Sequence, residues 1–195
     1  MPVFAIIKSA LYNFYMVEIL QKDNPRLRGQ AKAVPIKDIG TKKIVQIIAD
    51  MKNAMYAEKD GIAIAAPQIG VPLQIFVVSG RLFYLNKEDR GENPEKEKEY
   101  RTRDMVFINP MITKHSRKKK TEIEGCLSVR WLYGKTLRYT QVTLRAHDEH
   151  GTLIERGASG LLAQIFQHET DHLHGILFTD HAKDIEEMHP DVHVK

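Results

Sequence analysis

The chain has 195 residues, 29 Lys and Arg against 25 Asp and Glu, and a formal net charge of +4. That length suits one ordinary domain with a real core, and 43% hydrophobic residues exclude a disordered or fibrous chain. A single cysteine excludes an internal disulfide framework and a cysteine-rich zinc module, and so mild a charge does not by itself argue for nucleic acid.

Residues 1–16 read as a leader of uncertain role ahead of a single domain over residues 17–195, and Met16 is an alternative start. The first twenty residues are apolar but interrupted by Lys8, Asn13 and Glu18, so they fall short of a membrane span. Lys8 lies inside the apolar stretch instead of ahead of it, and the first arginine is Arg26, which suits neither a signal nor a transit peptide. A cytoplasmic location is expected.

From Thr41 to Lys59, Ile44, Ile47, Ile48, Met51 and Met55 recur at helical spacing, with Thr41 as N-cap and Asp60-Gly61 as stop. Leu73 to Val78 has the composition of a strand. The charge-dense segment from Lys87 to Asp104, around Gly91 and Pro94, is expected to be a solvated loop or hairpin inserted in the domain. The basic run Arg117 to Lys120 predicts a turn between strands. From Thr140 to Ala146 the chain alternates, with Val142, Leu144 and Ala146 on one face; a turn at Glu149–Gly151 and a strand over Thr152–Ile154 complete a hairpin. Gly160 to His174 reads as a helix anchored by Leu161, Leu162, Ile165, Phe166 and Leu173 and ended by Gly175. There is no internal repeat. The order predicts an α+β fold, with antiparallel strands packed around a C-terminal helix and a helix nearer the N-terminus.

That last helix carries His168-Glu169-Thr170-Asp171-His172. Residues i and i+4 share a helix face, so the two imidazoles can converge on one ion while Glu169 faces an open position as a general base. The plainer alternative is an amphipathic helix with two exposed histidines. A catalytic metal site needs a third protein ligand, for which His174, His181, His189, His193 and Cys126 are candidates. A lone cysteine is ordinarily a small buried hydrophobe, but Glu124-Gly125-Cys126-Leu127-Ser128 follows an expected strand at Thr121–Ile123, and Gly125 permits close backbone approach. Upstream, Gly61-Ile-Ala-Ile-Ala-Ala-Pro-Gln68 combines small residues at 61, 63, 65 and 66 with an amide at Gln68. It suits either an extended peptide passing alongside or a tightly packed alanine-rich strand. Ile62, Leu161 and Ile165 suit either an apolar pocket or core packing.

These three segments, in this order, resemble the three signature motifs of the peptide deformylase family. Glu124 to Ser128 and Gln167 to Leu173 fit throughout, and weaker similarity at Asn24–Arg28 and Asn109-Pro110 extends the likeness over roughly residues 17–180. The resemblance implies a metal-dependent hydrolase that removes the formyl group from N-formylmethionine at the start of nascent chains. It implies Cys126, His168 and His172 as metal ligands, Glu169 as acid/base, and Gln68 with the Leu127 backbone N–H as oxyanion donors. Gly61, Ile62, Ala63, Gly125, Leu161 and Ile165 are the expected substrate wall. Fe(2+) is the implied physiological ion, with Zn(2+), Ni(2+) or Co(2+) able to take its place. The implied partners are N-formylmethionyl peptides, with transient ribosome contact, no membrane and no specific nucleic-acid binding.

Ala63 stands where the family usually has Gly, a strained position if φ is positive there. Arg130-Trp131 stands where the family usually continues with Pro. Two rival readings remain at the level of sequence. An endopeptidase would need a further ligand such as His181, and a binding module without turnover would use Arg117 to Lys120 against phosphates.

Overall fold

The structure, a computed structural model, describes residues 17–84 and 94–189; the expected leader lies outside them. Among the described residues, α1 (Lys42–Ala57) precedes β1 (Ala63–Ala65) and β2 (Ile75–Val78). Then come α2 (Pro94–Arg101), β3 (Met105–His115), β4 (Lys119–Cys126) and β5 (Val129–Tyr139). The chain continues through β6 (Gln141–His147), β7 (Leu153–Ser159), α3 (Gly160–Leu173) and β8 (Lys183–Glu187). Five strands form one sheet in the order β1-β2-β3-β6-β7, and three form a second in the order β4-β5-β8. Every pairing in both is antiparallel. The α+β expectation holds.

The five-stranded sheet lies between two helices. On one face Ile44, Ile48, Met51 and Met55 of α1 meet Ile64, Ile75, Val77 and Ile108. On the other, Ala163, Ile165, Phe166 and Leu173 of α3 meet Phe76, Val78, Phe107, Val142 and Leu144. All four residues of β2 are buried, which is why its sequence is continuously apolar and does not alternate. Phe166 lies 5.0 Å from Phe107 and 6.0 Å from Phe76 between ring centroids, pinning α3 to the sheet two residues before His168. Gln167 adds a polar clamp, accepting from the Tyr139 N–H at 2.9 Å and donating to the Tyr139 carbonyl at 3.0 Å.

Several expectations change in detail. Thr41 is the N-cap of α1, but its hydroxyl donates to the Asp38 carbonyl instead of capping the helix. The helix stops at Ala57, ahead of the expected Asp60-Gly61. Of the charged insertion, residues 87–93 lie outside the described residues, and Pro94–Arg101 is helical, because Pro suits a first helical position and Glu and Lys are good helix formers. The basic run is split, with Lys119 and Lys120 already in β4. β7 continues to Ser159, beyond the expected end at Ile154.

Candidate active site

The hairpin of β4 and β5 and the helix α3 supply the chemically active side chains. Cys126 ends β4 and pairs with Val129, so Leu127 and Ser128 alone make the turn. The cysteine is therefore fixed by its pairing with β5, and its sulfur meets α3 at His172. His168 and His172 present their rings side by side, with centroids 4.9 Å apart. Cys126 Sγ lies 3.2 Å from His172 Nε2, and one donor atom from each of the three residues falls within 4.8 Å of the others. Bond lengths of about 2.0–2.3 Å place neighbouring donors around a tetrahedral ion roughly 3.5 Å apart. This set of one sulfur and two imidazoles fits a divalent transition metal.

Gln68 stands beside the cluster. Its Oε1 accepts from the Ala65 N–H at 2.7 Å, and its Nε2 donates to Ser128 Oγ at 3.1 Å and approaches Cys126 Sγ at 3.5 Å. The short helical turn Ala66–Ile69, opened by Pro67, holds it there. Ser128 also donates its backbone N–H to Cys126 Sγ at 3.4 Å.

A layer of buried charge supports the donors, and sequence reasoning assigned it no role. Glu124 Oε2 lies 3.1 Å from His168 Nδ1, leaving the other ring nitrogen for the centre of the site. Arg138 grips both oxygens of Glu124, at 2.7 and 2.9 Å, and reaches Asp171 Oδ2 at 2.7 Å. Burial would raise the Glu124 pKa, but the bonds from Arg138 and His168 outweigh it and hold the carboxyl well below the usual range. Burial also opposes charge on His168, yet contacts with Cys126 and Glu124 raise its pKa, whereas burial and neighbouring His168 push His172 down. Glu169 is 3% exposed, and among the described residues its Oε2 has no hydrogen-bond partner. Burial pushes its carboxyl up to about 7.

The cluster borders a cavity of about 280 Å³. Of the expected substrate wall, Ile62, Ala63, Gly125, Leu161 and Ile165 line it, as do Gln68, Cys126, Leu127, His168 and Glu169. Gly61 does not. It is a glycine because a Cβ there would sit 2.0 Å from the Met55 carbonyl oxygen, so its role is to turn the chain off α1. At Gly125 the space a Cβ would need is taken by the Tyr133 ring, 2.5 Å away. Ala63 lies in β1, outside the residues with positive φ, so its methyl group is unstrained. The other ligand candidates face elsewhere: His174 meets the Thr170 carbonyl, His181 meets Asp171 and His189 meets Glu187, while His193 lies outside the described residues.

The sequence profile of the polypeptide deformylase family matches residues 16–188. The chain belongs to that family. It is 39% identical over 163 residues to peptide deformylase 1A, chloroplastic/mitochondrial, of Arabidopsis thaliana, covering 84% of this chain and 60% of that one. A peptide deformylase from Synechococcus elongatus, solved in complex with actinonin, is 33% identical with a TM-score of 0.70, covering 86% of this chain and 81% of that one. The Met-Ala-Ser-bound class I type b deformylase of Acinetobacter baumannii is 27% identical with a TM-score of 0.70, covering 85% of this chain and 97% of that one. Deformylases are metal-dependent enzymes, and the three donors of this chain form a site suited to such an ion. Among the described residues no helix is long and apolar enough to cross a membrane.

Proposed function

We propose that the chain removes the formyl group from N-formylmethionine at the start of nascent polypeptides, with Cys126, His168 and His172 holding the metal. The convergence of the three donors within 4.8 Å, two of them, Cys126 and His168, on the wall of a cavity that Glu169 also lines, carries this reading. The bound ion supplies Lewis acidity beside the formyl group at neutral pH. Fe(2+) is the proposed physiological ion, and the borderline-soft sulfur and nitrogen set also accepts Zn(2+), Ni(2+) or Co(2+).

The protein's own groups then divide the remaining work. Glu169, buried and with its Oε2 unpartnered among the described residues, takes a proton from the attacking water and returns it to the departing amine, releasing formate. The Gln68 amide and the Leu127 N–H meet the charge that develops on the formyl oxygen. The unformylated α-amino group is the product.

The cavity is lined by Ala63 of β1 and by Ile123 to Cys126 of β4, each an edge strand of its sheet, so an extended peptide can pair with backbone there. Ile62, Leu161 and Ile165 offer apolar contact for a methionine side chain. The Met-Ala-Ser peptide bound by the Acinetobacter relative accords with this peptide class. The substrate is presented by the ribosome, so any ribosome contact is transient; the exposed basic turn at Arg117 and Lys118 suits it. The proposed compartment is the cytoplasm, whose reducing conditions keep the single thiol of Cys126 available.

An anaerobic assay on formyl-Met-Ala-Ser, with metal analysis of the same sample, tests the proposal. Formate release with one metal per chain supports it. A fully loaded protein that binds the peptide without releasing formate refutes it.

A further inference from the structure

The register of the β4–β5 hairpin jumps where the site is built. Gly125 pairs with Tyr133 but the next residue, Cys126, pairs with Val129, leaving Arg130, Trp131 and Leu132 without partners in β4. Such a bulge re-aims side chains. Here it sends Arg130 to the loop between α1 and β1, where its NH2 donates to Glu58 Oε2 at 2.7 Å and its NH1 to Asp60 Oδ2 at 2.6 Å. The Trp131 ring backs the guanidinium, 4.8 Å from centroid to the guanidinium carbon. The other side of the bulge is tied down, because the Trp131 carbonyl accepts from the Met188 N–H and Leu132 pairs with Glu187 of β8.

Arg130, Trp131 and Asp60 all line the same cavity as Cys126, His168 and Glu169. The ion pairs therefore join its two walls: β5 on one side and, on the other, the loop that runs directly into Ile62 and Ala63. The same loop is held from beneath by Arg81, whose NH1 donates to the Glu58 carbonyl at 2.8 Å and approaches the Gly61 carbonyl at 3.4 Å. Arg81 fixes the backbone. Arg130, with a side chain only 18% exposed, fixes the rim, and its two partners are more open, at 41% and 53%.

We propose that Arg130 is a positioning residue for substrate binding, a latch that joins Glu58 and Asp60 to β5 and sets the width of the peptide channel between β1 and β4. This rests on the deformylase reading and deepens it, since the latch governs how the formylated peptide is held and leaves the chemical step alone. Its partial exposure makes it sensitive to salt, unlike the buried Arg138–Glu124 pair.

The test is steady-state kinetics on formyl-Met-Ala-Ser, together with hydrogen exchange, on metal-loaded wild type, Arg130→Ala, Arg130→Lys and the double variant Glu58→Gln/Asp60→Asn. Loss of two half-exposed ion pairs raises KM about three- to tenfold with kcat held within twofold. Arg130→Lys recovers part of the loss, and combining Arg130→Ala with the double variant adds little, as expected of partners in one latch. Amides of residues 58–62 exchange faster in Arg130→Ala, and rising salt raises KM in the wild type but not in that variant. An unchanged KM, a fall confined to kcat, or a lowered unfolding midpoint with unaltered KM and loop exchange would each overturn the latch. If the wild type itself releases no formate, the deformylase reading fails, and the exchange measurement still decides whether Arg130 holds the loop.

Discussion

Glu124 and His168 meet at 3.1 Å, carboxylate oxygen to Nδ1, and the contact is locked from behind by Arg138. It sets the tautomer and orientation of an imidazole whose other nitrogen faces Cys126 and His172. Substituting Glu124→Gln keeps the volume and removes the charge. Outer partners of this kind are worth about 10- to 100-fold in metal affinity. That loss is expected in competition with a chelator of known affinity, while an unchanged metal affinity would show that Glu124 has no hold on the site.

Arg138→Ala is a different lesion. It leaves Glu124, 4% exposed, without its main counter-charge, so the cost falls on folding before it falls on metal binding. Breaking one side of a buried pair costs about 3–5 kcal/mol, and denaturant unfolding of the metal-free protein is expected to show a loss of that order. A loss under about 1 kcal/mol would mean that water reaches the carboxylate once the guanidinium is gone.

This arrangement also explains why some of the molecule was legible in sequence and some was not. The helix α3 declared itself, because Ile165, Phe166 and Leu173 face the core and the histidines lie on a shared face. The β4–β5 hairpin declared itself only in part, as the short strand at Thr121–Ile123 that lies inside β4. Along it Ile123 is 67% exposed and Leu137 60%, while Glu124, Thr136 and Arg138 are buried. Its inward face is polar because it serves the site, which inverts the alternation from which strands are read. The three motifs marked the three converging donors, Glu169 and Gln68. The charged layer beneath them depends on contacts between β4, β5 and α3 that no spacing announces.

Glu169→Ala separates binding from chemistry. The carboxylate is not among the three converging donors, so the variant is expected to hold its metal and lose about 100- to 10,000-fold in kcat, the range for a general acid/base. Metal analysis alongside single-turnover kinetics checks it. Residual activity near the wild-type level would assign the proton transfer to another group.

Cys126→Ser replaces a soft thiolate with a weak hydroxyl ligand. Metal content after dialysis should fall and turnover with it. The wild type, treated with a chelator, should lose both activity and thermal stability, because an ion that binds only the folded state stabilises it by mass action. Readdition of metal should restore both in the wild type and neither in the variant. Full occupancy of Cys126→Ser would remove the cysteine from the ligand set.

Acid titration offers a further check. The folded-state pKa of Glu124 lies below its unfolded value of about 4.3, so its contribution to stability is fully present above that pH. It is lost as pH falls from there towards the folded pKa. Between pH 5 and 3, metal-free wild type should lose stability more steeply than Glu124→Gln, which has no proton to take up. Matching slopes would mean that the carboxylate is not held ionised by Arg138 and His168.

Ala63→Gly tests the one motif position where strain was anticipated. Ala63 pairs with Val78 in β1 and lines the cavity without positive φ. Its methyl group therefore stores no strain for a glycine to relieve. The substitution should instead loosen a short edge strand, costing about 0.5–1 kcal/mol through added freedom in the unfolded chain. Activity on formyl-Met-Ala-Ser should stay within about twofold of wild type, since the backbone that faces the peptide is the same in both. A rise in kcat well beyond that would show that the methyl group obstructs the substrate, and a gain in unfolding free energy would show that β1 is strained after all.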